Sequence, residues 1–232
     1  MSIKIGGVER FSLVDFPEHV AAVLFLQGCP WRCPFCYNTH LQSAEAQESI
    51  DEEAFFEFLE KRKGKLDAVV FSGGEPLLQL SLRDAVQKAK NLGYTIGMHT
   101  GGYNAERFAQ VLPLIDWVGF DVKAPFNENH YQRATGAQTP LNQVLQSLDL
   151  LIKSGKPFET RTTCDPRLLT IDDIYTIAKQ LKEKGVENYH LQKYRPIPSD
   201  TVSTDTMCDS FFRDKELLAY LKNTFKTFDT RS

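Results

Sequence analysis

Short apolar runs alternate with longer amphipathic ones along almost the whole chain. Runs at 19–27, 66–72, 94–99, 116–123, 157–163 and 188–194 have strand length, so six strands are expected there. Each is followed by a stretch with helical spacing, at about 51–63, 80–92, 104–112, 140–154, 171–184 and 209–225. In the first of these Ala54, Phe55, Phe58 and Leu59 recur as an apolar stripe that reads as core. Gly93, Gly155 and Gly185 stand where the second, fourth and fifth should stop.

Strands that alternate with helices imply an α/β fold with a mainly parallel sheet, because right-handed crossovers carry the helices onto its faces. A closed eight-unit barrel takes about 250 residues. Six units fit the 232 residues of this chain with a short segment to spare, so a partial (β/α)6 barrel with mainly parallel strands is expected. The expected organisation is one domain over 1–232, with an N-terminal extension at 1–18, the barrel at 19–208 and a C-terminal helix at 209–232. In such folds ligands gather at the carboxyl ends of the strands.

Hydrophobic residues make up 42% of the chain and charged residues 25%, enough for a sizeable core and too regular for a tail or an array. A net charge of −3 offers no footprint for nucleic acid, and the basic run 61–65 reads as a solvated helix end. The apolar run at 21–26 is far shorter than the roughly 20 residues a bilayer needs, and nothing reads as a signal peptide. Neither a membrane nor a nucleic-acid partner is expected. Five cysteines, an odd number with three clustered, argue for free thiols in a reducing compartment, and hence for a cytoplasmic protein.

Those three, Cys29, Cys33 and Cys36, are spaced C-x3-C-x2-C directly after the first apolar run. Thiolates are soft ligands for iron–sulfur clusters, zinc or copper(I), and a cubane usually takes four, so three close ligands imply one iron left open. His40 follows Cys36 by four residues and offers a second reading, a Cys3His set of the kind that binds structural zinc.

Gly73-Gly74-Glu75-Pro76 follows the second expected strand. Paired glycines let a ligand approach the main chain, although the tetrapeptide alone is also an ordinary turn. Asp121 and Lys123 close the fourth strand two residues apart, so both face one way, either as binding charges or as a strand-end ion pair. Arg161 holds a similar place on the fifth, and its guanidinium suits a carboxylate. Gln192, Lys193 and Arg195 end the sixth and suit either ligand contacts or the surface. Cys164 reads as a packed strand-end thiol and Cys208 as a loop thiol.

The cysteine spacing and the GGEP turn, one βα unit apart, together resemble the radical S-adenosylmethionine (SAM) enzymes. By that resemblance Cys29, Cys33 and Cys36 hold a [4Fe-4S] cluster whose remaining iron is chelated by the amino and carboxylate groups of SAM. The cofactor contacts implied are Phe35, Tyr37, Gly73, Gly74, Glu75, His99, Asp121, Lys123 and Arg161. Of these, the GGE residues would hold the amino group, Lys123 the carboxylate and Asp121 a ribose hydroxyl. No acid or base is implied.

The run 7–17 (GVERFSLVDFP), the loop ending Cys36-Tyr37-Asn38, and the GGEP and DVK motifs narrow the resemblance over nearly the whole chain. They resemble the longer form of the activating proteins of anaerobic ribonucleoside-triphosphate reductase, a family of glycyl-radical-enzyme activases. This implies an oxidoreductase that cleaves SAM reductively, takes its electron from flavodoxin or ferredoxin and generates a glycyl radical on a partner enzyme. Relatives usually carry histidine where this chain has Tyr37, and Asp-Thr-Asn-Gly where it reads His99-Thr100-Gly101-Gly102. An imidazole can replace that aspartate at the amino group only through an accepting nitrogen, and His99 reads equally as a core histidine. A radical SAM enzyme for a small molecule, such as 7-carboxy-7-deazaguanine synthase, would share the cysteine loop and GGEP. A non-catalytic zinc adaptor would share only the cysteines and His40.

Overall fold

All six expected strands form in the structure, a computed structural model that describes residues 2–45, 50–138 and 140–231. In chain order the elements are β1 (Ile5–Ser12), β2 (Ala21–Leu26), α1 (Glu52–Arg62), β3 (Ala68–Gly73), α2 (Leu82–Asn91), β4 (Thr95–Thr100), α3 (Ala105–Val111) and β5 (Trp117–Asp121). There follow α4 (Glu128–Thr135), α5 (Leu141–Ser154), β6 (Phe158–Cys164), α6 (Ile171–Glu183), β7 (Asn188–Lys193), α7 (Asp205–Arg213), α8 (Lys215–Thr224) and β8 (Thr227–Arg231). The fold class is α/β with mainly parallel strands.

The chain packs as two compact units, one of Met1–Pro30, Asn38–Gly119 and Gln143–Pro157, the other of Trp31–Tyr37, Phe120–Asn142 and Phe158–Ser232. In the first unit β2 pairs parallel with β3 from Ala21↔Ala68 to Leu26↔Gly73, and β3 with β4 from Ala68↔Thr95 to Phe71↔Met98. Ala21, Ala22, Val23, Leu24 and Leu26 are buried, the near-continuous apolar run of a parallel strand covered on both faces. Phe16, Ala21, Val23, Ala68, Val70 and Trp117 form one core cluster. The stretch 1–18, expected only as an extension, carries β1, which pairs antiparallel with β2 through two register shifts. The stripe on α1 is shifted from the one expected: Phe55, Phe56 and Leu59 are buried, Ala54 is exposed, and Phe58 lies under the guanidinium groups of Arg10 and Arg62.

In the second unit β6, β7 and β8 pair in parallel, Thr160↔Tyr189 and Asn188↔Thr227 setting the registers. A capping box starts α6, with Thr170 and Asp173 exchanging side-chain to main-chain bonds, and the helix buries Ile174, Ile177, Ala178 and Leu181. The single helix expected at 209–225 is two helices, and the C-terminal stretch expected to be helical to 232 ends in a strand, β8. Asp214 leaves the helical region at φ −74°, ψ 102°, ends α7, and restarts the chain as the N-cap of α8 by accepting the Leu217 N–H at 2.9 Å. Cys208 therefore lies on α7, buried, rather than on a loop. Among the described residues no helix is long and apolar enough to cross a membrane.

Candidate active site

In the first unit the chain leaving β2 is pinned before it reaches Cys29. The Gln27 side-chain amide donates to the carbonyls of His40 and Ser43, Gly28 N–H to Leu41 and Cys29 N–H to Gln42. The glycine pair after β3 is a steric requirement. A Cβ on Gly73, which sits at φ 117°, would fall 2.2 Å from the Leu26 nitrogen, and one on Gly74 would fall 2.2 Å from the Gly28 carbonyl oxygen and 3.1 Å from the Cys29 Cβ. Close approach of these two backbones thus places the GGE turn beside Cys29, with Glu75 N–H bonded to the Gly28 carbonyl at 3.0 Å.

Glu75 is 1% exposed, and its carboxylate faces protein donors. Oε1 accepts from the Thr100 hydroxyl at 2.6 Å and the Leu77 N–H at 3.1 Å, and Oε2 from the Gly101 N–H at 2.9 Å, so the side chain ties the end of β3 to the end of β4. His99 lies on β4 with its ring edge against Trp117. Its Nε2 is 2.8 Å from the Asp15 carbonyl, which can only accept, so Nε2 carries a proton, and Nδ1 lies 3.4 Å from the Ser72 hydroxyl.

The second unit gathers Cys33, Cys36, Phe35, Asp121, Lys123 and Arg161. Cys36 N–H donates to the Cys33 carbonyl at 3.1 Å. Burial pushes the Cys33 thiol up, the Lys123 ammonium pulls it down, and Cys36 and Asp121 reinforce the rise. Lys123 Nζ lies 5.1 Å from the Trp31 ring centroid, 5.7 Å from that of Phe35 and 3.6 Å from Asp121 Oδ2. Asp121 Oδ1 accepts from Arg161 Nε at 3.0 Å and Nη2 at 2.9 Å. Tyr37 is exposed; its hydroxyl accepts the Arg195 N–H at 2.7 Å and its ring lies 6.3 Å from that of Tyr194. Lys193 pairs with Asp209.

All five cysteines stand outside disulfides; Cys29, Cys33 and Cys36 are half-buried, whereas Cys164 is buried in β6 as expected, with its thiol pushed well up by burial. Among the described residues no three His, Cys, Asp or Glu side chains converge as ligands of one ion. A cubane makes no such demand, since its thiolates bind separate irons. In the first unit Cys29 stands against a glycine turn, and in the second Cys33 and Cys36 stand beside an ammonium; each is a soft-donor setting whose chemistry suits a cluster that also binds an amino acid. Sequence reasoning missed Thr100, which holds Glu75, and a polar group formed by Asp165, Arg167, Tyr194 and Asp200. The only signal for the latter was the position of Asp165 and Arg167 directly after β6.

The family model described as the radical SAM superfamily matches residues 23–166. A Methanocaldococcus jannaschii protein that carries the name "putative glycyl-radical enzyme activating enzyme" is 32% identical over 206 residues, 84% of this chain and 82% of that one. A pyruvate formate-lyase-activating enzyme of Clostridium pasteurianum is 31% identical over 138 residues, 57% of each chain. Among solved structures, Streptococcus suis SuiB bound to S-adenosylmethionine superposes with a TM-score of 0.68 at 13% identity, over 89% of this chain and 48% of its own. At that identity the likeness is one of fold, and this chain spans about half the length of SuiB.

Proposed function

This chain belongs to the radical SAM superfamily, among its glycyl-radical enzyme activating enzymes, and we propose that the enzyme it activates is anaerobic ribonucleoside-triphosphate reductase. The superfamily works with a [4Fe-4S] cluster and SAM. When bound, the two supply a one-electron reduction and the abstraction of a hydrogen atom, here from a main-chain glycine of the partner.

Cys29, Cys33 and Cys36 would hold the cluster as thiolates. The main chain at Gly73 and Gly74, kept open by the missing Cβ atoms and braced by Glu75, would receive the cofactor's amino group. Lys123 brings a positive charge for its carboxylate, and the aromatic faces of Trp31 and Phe35 help to orient that charge. Asp121 would take a ribose hydroxyl while Arg161, bonded to its Oδ1, holds the carboxylate turned. Tyr37 offers an exposed ring to the adenine, and His99 steadies the end of β4. An external flavodoxin or ferredoxin would deliver the electron.

The observation that carries this reading is placement: the motif residues follow or end a strand at its carboxyl side, at β2, β3 and β4 in one unit and at β5 in the other, where Arg161 reaches Asp121 from the middle of β6. The run 7–17 supports the choice of partner through its likeness to activators of that reductase. The first test reconstitutes the protein anaerobically with iron and sulfide, adds SAM and a strong reductant, and measures 5′-deoxyadenosine with bound iron and zinc. Iron with product is expected; one zinc and no product would overturn the reading. Mixing the loaded protein with the reductase, and separately with pyruvate formate-lyase, then identifies the partner by the electron paramagnetic resonance doublet of a glycyl radical.

A further inference from the structure

After β6 the chain turns through Asp165, Pro166 and Arg167 and builds a polar cluster that none of the cofactor motifs uses. Asp165 is fully buried, and its carboxylate accepts from the Arg167 main-chain N–H at 2.9 Å, from Nε at 2.9 Å and 3.2 Å, and from Nη2 at 2.6 Å. The Asp200 side chain is equally buried, with Oδ2 3.2 Å from Arg167 Nη1. Tyr194 lies under the guanidinium, whose carbon is 4.9 Å from the ring centroid, and its hydroxyl accepts from Nη2 at 2.8 Å and donates to Asp200 at 2.9 Å. Burial pushes that hydroxyl up to about 12, so it remains a donor.

Two buried carboxylates require a cation, and any cation would answer that need. The guanidinium does more. Its Nη2 also donates to the Pro34 carbonyl at 3.2 Å, between Cys33 and Phe35 in the cysteine loop. Three residues on from Pro34, Tyr37 stacks on Tyr194 and accepts from the Arg195 N–H. The segment 34–37, which contains Cys36, is therefore held at both ends by groups centred on Arg167 and Tyr194.

The geometry points to Arg167 as a positioning residue for the cysteine loop: its planar fork binds buried carboxylates on one side and the Pro34 carbonyl on the other, and so fixes where Cys33 and Cys36 present their thiolates. This rests on the cluster reading above. In a trans peptide the Phe35 N–H points opposite to the Pro34 carbonyl, so the same bond aims that donor, and donors near sulfur set a cluster's potential.

The test compares the reconstituted native chain with Arg167→Lys, which keeps the charge but loses the fork, and Tyr194→Phe, which keeps the ring but loses the hydroxyl. Arg167→Lys is expected to lose iron to a chelator about 10- to 100-fold faster, as other losses of outer-shell support do. Its midpoint potential should shift, and in the apoprotein the Cys36 amide should exchange hydrogen faster while the amides of α6 do not. Tyr194→Phe should fall between it and the native chain. Native rates of iron loss, native potential and native Cys36 exchange in both variants would overturn the assignment. If Arg167→Lys loosens α6 as well, Tyr194→Phe decides by the same three readouts. A native chain that takes up no iron would sink the cluster reading instead, and Cys36 exchange in the apoprotein would still judge Arg167.

Discussion

Glu75 in the first unit and Asp121 in the second are both carboxylates at a strand end, and their surroundings are opposite. Glu75 accepts from the Thr100 hydroxyl and from the N–H groups of Leu77 and Gly101. Asp121 sits between two cations, Arg161 at 2.9 Å and Lys123 at 3.6 Å. The first unit thus builds its motif from main-chain geometry, in which glycines and a buried carboxylate set the shape of a turn. The second builds its motif from ionised side chains whose positions depend on one another. A backbone-made half should respond to substitution chiefly through stability, and a charge-made half chiefly through binding.

The cysteine loop breaks this contrast, because it should fail in binding without failing in stability. Cys33→Ala is expected to abolish iron uptake and 5′-deoxyadenosine formation while leaving the circular dichroism spectrum of the apoprotein unchanged. Normal cofactor cleavage by that variant would refute the ligand assignment.

Glu75→Ala sharpens the contrast from the first side. It would strand a buried hydroxyl and two buried N–H groups, at a cost of about 3 kcal/mol in anaerobic urea unfolding. Its counterpart Lys123→Met should change stability by less than about 1 kcal/mol, since it removes a partly exposed ion pair, yet should raise the dissociation constant for SAM. Similar effects of the two variants on both quantities would erase the distinction. Asp121→Asn comes next. It leaves Arg161, 7% exposed, facing a neutral amide, so about 2 kcal/mol of stability should go with the cofactor affinity.

The same contrast explains which features were legible in the sequence. The strands β2, β3 and β4 are apolar runs, and the Gly73-Gly74 turn is punctuation that cannot be anything else when two backbones come within a Cβ of each other. Asp121 and Lys123 were visible because strand periodicity puts residues two apart on one face. What escaped lacked an apolar pattern. β1 interrupts its run with Gly6, Gly7, Glu9 and Arg10, and β8 is the polar stretch Thr227–Arg231 with Phe228 as its one large apolar side chain. The break at Asp214 was hidden because a residue that ends one helix and caps the next leaves helical spacing on both sides. That Glu75 turns its carboxylate to Thr100 and Gly101, and that Arg167 reaches Pro34, are facts of tertiary contact between residues 25 and 133 positions apart. No local pattern announces them.

The smallest expected effect tests whether reliance on charge extends deeper into the second unit. His190 on β7 is buried, 3.4 Å from Glu159, which also receives two bonds from Arg231. Burial pushes the His190 imidazole below its ordinary value; Glu159 opposes that shift, Arg231 reinforces it, and Asp229 and Arg161 add smaller effects of opposite sign. With the folded value below the unfolded one of about 6.5, the unfolded chain binds more protons in the window between them. Stability therefore rises with pH through that window and falls as the solution is acidified from neutrality toward the folded value. In urea unfolding at pH 8 and pH 5.5, the native chain should lose more stability on acidification than His190→Asn does. An equal loss in both would show that the burial of His190 contributes nothing to the acid response, and that the ionised architecture ends with Asp121, Lys123 and Arg161.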